Sequence, residues 1–228
     1  MDFVYMCRDG ENEELRYSIR SVYAHIKDPN IWVIGGKPKW YSGQHLVVPQ
    51  DQGKHENVRK NLRSLCNSDK INENFILMND DFFIMQDLDS IPQMHGGPLR
   101  DKILKYKRFA KHSSYTKLLS DTEKELMSMG IEDPLDYAIH VPMPMSKQNL
   151  STTIYPDLSV RTMYGNIFKV GGTQIKDVKV YDKGPLWSNS YDYKQEDSIF
   201  ISSNDTSFDL LYKNLLKGLL RKKTECER

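Results

Sequence analysis

Cysteine is scarce in this chain: Cys7, Cys66 and Cys226 are odd in number and widely scattered. They suggest no disulfide framework, and no Cys/His spacing resembles a zinc site. Long hydrophobic runs are missing too, and no apolar stretch approaches membrane-spanning length. Met1 is followed directly by Asp2-Phe3-Val4-Tyr5-Met6-Cys7, without the basic n-region or long apolar h-region of a signal peptide. The expectation is therefore a soluble chain in the cytoplasm, with no transmembrane segment. An excess of either charge is also absent, since 32 Lys plus Arg face 31 Asp plus Glu for a formal charge of +1. No global field points to nucleic acid, although local patches stay open. At 228 residues the chain can bury one substantial core and reads most simply as a single domain.

One stretch organises what is present. Phe75-Ile76-Leu77-Met78-Asn79-Asp80-Asp81-Phe82-Phe83-Ile84-Met85 sets three polar residues between two apolar runs, with no Gly or Pro to relieve the chain. It reads as a buried strand carrying acids at its end. Ionised carboxylates in such a place are costly to desolvate unless a cation, an arginine or several donors meet them. A divalent metal is the simplest partner, because Mg²⁺ and Mn²⁺ favour one or two carboxylates plus the phosphates of a substrate. A turn cap or an ordinary ion pair also accounts for an isolated Asp-Asp.

The order of elements adds weight. Phe3 to Cys7 reads as a first strand ending in Arg8-Asp9-Gly10, and Leu15, Ile19 and Val22 within Glu11 to His25 mark an amphipathic helix with acids early. Ile31 to Ile34 ends at Gly35-Gly36-Lys37, Leu46 to Val48 precedes Pro49, and Val58, Leu62 and Leu65 mark a second helix. Alternation of this kind suggests a mostly parallel α/β sheet. In such sheets ligands bind beyond the carboxyl ends of the strands, where Arg8-Asp9-Gly10, Gly36-Lys37 and Asn79-Asp80-Asp81 all fall.

Asp2-Phe3-Val4-Tyr5, Arg8-Asp9-Gly10 and Glu14-Leu15-Arg16-Tyr17-Ser18-Ile19-Arg20-Ser21 resemble the first block of the Stealth family of sugar-phosphate transferases. Phe75 to Phe83 is similar to its second block, and Tyr137-Ala138-Ile139-His140-Val141-Pro142 to its histidine-and-proline block. Arg161, Tyr164-Gly165-Asn166 and Asp177-Val178-Lys179 resemble the family's later segments. The chain also resembles compact phage-encoded glycosyltransferases related to the same blocks. The resemblance implies a Rossmann-like GT-A sheet in a single domain, 1–228, with a donor and metal half over 1–90 and an acceptor half over 91–228. It implies a nucleotide-sugar donor, a UDP-sugar first, held with Mn²⁺ or Mg²⁺ by Asp81 and then Asp80. Arg8, Asp9, Gly10, Arg16, Gly36, Lys37 and Asn79 are the further donor-side candidates.

His140 follows an apolar run and precedes Val141-Pro142-Met143-Pro144, whose prolines restrict the backbone. It suits a general base towards an acceptor hydroxyl or a cation for the diphosphate, and a satisfied core histidine is the plain alternative. Arg161 suits a phosphate clamp or a surface salt bridge. Catalysis is accordingly assigned to Asp81, His140 and Arg161. His95-Gly96-Gly97-Pro98 reads as a flexible loop near the donor or an ordinary turn, and the basic stretch from Lys102 to Lys111 as a solvated helix face or a contact for a phosphate-bearing acceptor, while a helix opened by Ser120 to Glu123 and closed by Gly130 reads as structural. Asp205, with reaching the metal as the alternative, is expected to cap the last helix, which would dock Phe208, Leu211, Leu215 and Leu219 on the core. Its basic stripe, Lys213, Lys217 and Arg221, running into Lys222-Lys223, is open to a membrane surface or nucleic acid.

The favoured reaction is glycosyl transfer to a hydroxyl of a glycan or a modified DNA base, in the host cytoplasm if the gene is phage-encoded. Sugar-1-phosphate transfer of the Stealth type and a non-catalytic nucleotide-sugar or glycan-binding module are the alternatives.

Overall fold

The computed structural model describes residues 1–110, 112–180 and 198–228. In chain order its elements are β1 (Asp2–Cys7), α1 (Glu13–His25), β2 (Asn30–Gly35), β3 (Gln44–Val47), α2 (Lys54–Cys66), β4 (Asn74–Met78), β5 (Phe82–Ile84) and β6 (Met94–His95). They continue with α3 (Leu99–Ala110), α4 (Ser114–Ser128), β7 (Met143–Ser146), α5 (Lys147–Ser151), α6 (Val160–Ile167), β8 (Thr173–Gln174), β9 (Lys179–Val180) and β10 (Phe200–Ser203). The final segment has α7 (Asp205–Ser207), a π-helical turn over Phe208–Tyr212, and α8 (Lys213–Leu219).

The central sheet runs β3-β2-β1-β4-β7, parallel throughout except for β7, which is antiparallel to β4. Because side chains alternate across a strand, β1 feeds two cores. Phe3 and Tyr5 join Leu15, Ile19 and Val22 of α1 on one face, and Val4 joins Leu62 and Leu65 of α2 on the other. Burial on both faces is why the parallel strands read as continuous apolar runs. The Asn12 side chain caps α1 by accepting from the Leu15 N–H at 2.9 Å, and Glu13 and Glu14 follow in its first turn.

The stretch from Phe75 to Met85 is two strands, not one. β4 belongs to the central sheet, whereas β5 pairs antiparallel with β10 in a second sheet ordered β5-β10-β9. Asn79, Asp80 and Asp81 form the break, where the Asn79 carbonyl accepts from the Phe82 N–H at 3.3 Å. Helix α1 fixes the departing strand: Ser18 Oγ is within hydrogen-bond distance of Tyr5 Oη at 3.0 Å and donates to the Phe82 carbonyl, and the Ile84 N–H donates to Ser21 Oγ at 3.0 Å.

Other expectations need correction. Helix α4 opens at Ser113, whose Oγ accepts from the Thr116 N–H at 3.1 Å, and Ser120 to Glu123 lies inside it. There the Thr122 hydroxyl donates to the Leu118 carbonyl, bonding back along the helix instead of capping a new one. Gly130 does follow the helix, at φ +83°. His95 to Pro98 is held rather than loose. His95 belongs to β6, the Gly96 N–H donates to the Asp136 carbonyl at 2.7 Å, and the Asp136 N–H donates to the Gly97 carbonyl at 2.8 Å. The last helix docks Phe208, Tyr212, Leu216 and Leu220, not Leu215 and Leu219, because the π-helical turn moves the buried face one residue along.

Gly165 in α6 faces the Tyr137 ring so closely that an added Cβ would lie 2.3 Å from it. Tyr137 is itself buried. Gly165→Ala is therefore expected to destabilise the fold by about 1–3 kcal/mol, read as a lowered midpoint in thermal or urea unfolding.

Candidate active site

The carboxyl ends of β1, β2 and β4 meet. The Gly36 N–H donates to the Cys7 carbonyl at 2.9 Å, and a Cβ on Gly36 would lie 2.3 Å from Asp9 Oδ1 and 2.7 Å from the Arg8 carbonyl carbon. Only glycine permits that approach of two loops. Asp80 accepts from Asn12 Nδ2 at 2.6 Å. Burial and the adjacent Asp81 push its carboxyl above the usual carboxylate range, against the Asn12 hydrogen bond and the Arg8 charge. Arg8, Asp9, Gly10, Lys37 and Asn79 line this rim with exposed side chains or, for Gly10, exposed backbone. Arg16 turns elsewhere: its guanidinium lies over the Trp40 ring at 4.7 Å and 3.8 Å from Glu227. That cation–π contact accounts for its placement and separates it from the acids.

Asp81 takes its partners from the second sheet, whereas Asp80 is bonded to Asn12. Asp81 is 6 % exposed, and its Oδ2 accepts from Lys179 Nζ at 2.7 Å and Ser202 Oγ at 3.0 Å. The ammonium comes from β9 and the hydroxyl from β10, in register on paired strands. Next to Asp81, the Phe82 ring meets Arg161 at 5.5 Å and the edge of His140 at 6.3 Å. Arg161 donates through Nη2 to the Val141 carbonyl, so it is not the surface salt bridge that its sequence position allowed. Burial pulls its guanidinium down to about 10, and Asp177, Asp136 and Asp81 oppose the fall, so it stays charged at neutral pH.

His140 is oriented by Asp177. Its Nδ1 lies 3.0 and 2.9 Å from the two carboxylate oxygens, and its backbone N–H donates to Oδ1 at 3.1 Å. Burial would raise the Asp177 carboxyl, but the hydrogen bond and charge of His140, with Lys102, outweigh it and hold the group down to about 2. An ionised Asp177 fixes the proton of a neutral imidazole on Nδ1, which makes Nε2 the basic nitrogen. Lys102, from the basic stretch on α3, points inward to Asp136 at 2.8 Å and the Ala138 carbonyl at 2.6 Å. It is a structural cation, and Lys111 of that stretch lies outside the described residues.

Asp81, His140 and Arg161, far apart in sequence, thus share one network with Lys179 and Asp177. Sequence reasoning gave no role in the site to Asp177, Lys179, Ser202 or Glu14. Glu14 reads as a helix-dipole acid, yet Ser203 Oγ donates to its Oε1 at 3.3 Å beside the acidic break. Burial, then Asp80, Asp81 and Asp205, push its carboxyl up to about 8. Asp205 does not cap the last helix; Asn204 does, its Oδ1 accepting from the Ser207 N–H at 3.0 Å. Among the described residues no three or more His, Cys, Asp or Glu side chains are grouped as a metal-binding cluster. No helix among them is long and apolar enough to cross a membrane.

No family model matches the chain, and no curated protein matches it. Solved structures do. The galactosyltransferase LgtC, in complex with donor and acceptor sugar analogues, is 12 % identical, with 99 % of this chain and 98 % of that chain covered and a TM-score of 0.52. An active-site mutant of LgtC is 10 % identical over the same shares, with a TM-score of 0.50. The fold is therefore that of GT-A glycosyltransferase structures, a mixed α/β domain around a mostly parallel sheet.

The raised Glu14 carboxyl sets a pH signature. The folded chain holds a proton that the unfolded chain releases near the ordinary value of 4.5, so stability falls as pH rises from there to about 8. Glu14→Gln removes that loss. The variant is expected to gain stability over the parent progressively across this window and to hold a constant advantage above it, as measured by unfolding midpoints against pH.

Proposed function

We propose that this chain is a nucleotide-sugar-dependent glycosyltransferase that moves a sugar onto an acceptor hydroxyl. The observation that carries the reading is the meeting of three polar strand ends with Asp81, His140 and Arg161 at the carboxyl edge of a GT-A sheet. Ligands of open α/β sheets bind at that edge. The LgtC structure that shares this fold holds donor and acceptor sugar analogues. We assign the donor, a UDP-sugar first, to residues 1–90, with Arg8, Asp9, Gly10, Gly36, Lys37 and Asn79 on its rim, and the acceptor to 91–228.

Asp80 and Asp81 supply hard oxygen donors in the number that Mg²⁺ or Mn²⁺ takes from protein, the rest coming from substrate phosphate and water. Their surplus charge, felt in the raised carboxyls of Asp80 and Glu14, fits a divalent cation. Asp80 and Asp81 would hold such an ion, Lys179 and Ser202 already being bonded to Asp81. The metal would neutralise charge on the leaving diphosphate. Arg161 and Lys179 add fixed positive charge on the same side of the break. His140, steered by Asp177, takes the acceptor proton on Nε2 as the hydroxyl attacks the anomeric carbon.

Sugar-1-phosphate transfer is the second reading, favoured by one observation. The blocks that resemble the Stealth family, carrying Asp81, His140, Arg161 and Asp177, converge in space. There the acceptor hydroxyl attacks the phosphorus bearing the sugar, and a nucleoside monophosphate leaves. Acceptor candidates are a glycan and a modified DNA base. Mass spectrometry of DNA and surface polysaccharide from cells with and without the gene separates them.

Incubation with several nucleotide sugars and Mn²⁺, with chromatography of the released nucleotide, tests the reaction. A nucleoside diphosphate is expected as the direct product, with at least a 100-fold or so loss in Asp81→Asn and on metal chelation. A monophosphate would replace this reading by phosphotransfer. Nucleotide-sugar binding without turnover in any combination would reduce the protein to a binding module.

A further inference from the structure

The segment from the π-helical turn onward carries more than it needs to dock on the core. Phe208, Tyr212, Leu216 and Leu220 are buried against Tyr17 and Phe83, which uses one face. The arc left to solvent bears Leu210, Leu215 and Leu219, exposed by 61 %, 46 % and 59 %. Lys217 and Arg221 lie among them, and Lys222 and Lys223 follow, all exposed. From Lys213 to Lys223 there are five basic residues and no acidic one, in a chain whose net charge is +1. Neighbouring acids take up Lys213 of this run, which leaves Lys217, Arg221, Lys222 and Lys223 as its exposed bases. Asp209 is bonded to Lys213 at 3.3 Å, and Lys213 is also bonded to Glu13 at 2.6 Å. Beyond the run, Glu225 accepts from Tyr23 Oη at 2.9 Å and Glu227 pairs with Arg20 at 2.7 Å.

From this arrangement the geometry points to a docking surface for an anionic lipid bilayer. Exposed leucines on a helix recover free energy only where apolar surface can be buried, and clustered bases gain only beside negative charge. An anionic membrane interface offers both at one depth, with leucines at the acyl boundary and Lys and Arg snorkelling to headgroups. A nucleic-acid backbone would satisfy the bases and leave the leucines in water. The surface is independent of the reaction assigned above. It shares a segment with the candidate site, however, since this segment begins at Asn204 and Asp205, and Asp205 acts on Glu14.

Flotation of the full chain with vesicles tests it, using pure phosphatidylcholine, phosphatidylcholine with phosphatidylserine, and duplex DNA as a separate arm. The parent is expected to bind the anionic vesicles and to bind neutral ones far more weakly. Lys217→Gln with Arg221→Gln should weaken vesicle binding about fivefold for each charge removed. Leu215→Ser with Leu219→Ser should weaken it about tenfold or more, leaving any DNA binding unmoved. These side chains are exposed, so circular dichroism and the unfolding midpoint should stay at parental values. No binding to anionic vesicles overturns the proposal. So does vesicle binding that ignores the leucine pair, or DNA binding tighter than vesicle binding, which would make the patch a nucleic-acid surface.

Discussion

The burial of the Asp81 carboxylate is the constraint on which the two sheets depend. A carboxylate 6 % exposed between Met78 and Phe82 is tolerable only with strong partners, and it takes an ammonium from β9 and a hydroxyl from β10. Neither strand belongs to the central sheet, so the pairing joins the second sheet to the strand break. Residues 98 and 121 positions away in sequence are thereby brought to the end of β4. Breaking such a pair leaves an uncompensated buried charge, which costs more than the pair itself contributes. Beside this pair an arginine and an oriented imidazole meet the Phe82 ring.

Acidic charge gathers at the break. Burial first, and then Asp80, Asp81 and Asp205, push the Glu14 carboxyl up. Towards β9 lie Lys179, Arg161 and Lys102, each set against Asp81, Asp177 or Asp136.

Much of this is legible in the sequence. The apolar periodicities of β1, α1, β2 and α2 and the polar strand ends depend on local patterning, and the structure places them as read. Asp81, His140 and Arg161 stand out from their settings and from the resemblance. Their partners do not, because Asp177 and Lys179 sit in a stretch without periodicity, and no local rule says that Lys179 should find Asp81. Arg16 escapes a sequence reading since its attraction to Trp40 depends on the loop after β2. Ser120 resembles a helix start only because a cap and a mid-helix hydroxyl share one residue type. The division of Phe75 to Met85 is hidden because both halves are equally apolar.

The π-helical turn at Phe208–Tyr212 has a consequence for how this chain tolerates changes in length. The segment beyond it holds two interleaved apolar ladders, one through Leu211, Leu215 and Leu219 and one through Tyr212, Leu216 and Leu220. A regular helix from Phe208 would favour the first ladder, and the single wide turn hands the core to the second. Wide turns of this kind accommodate one extra residue within an otherwise regular helix. Deleting one residue there would let the helix close regularly with the second ladder still on the core, whereas closing it regularly at full length would exchange the ladders and turn the outer surface inward. The solvent-facing chemistry of this end of the molecule is thus governed by a count of residues as much as by their kind.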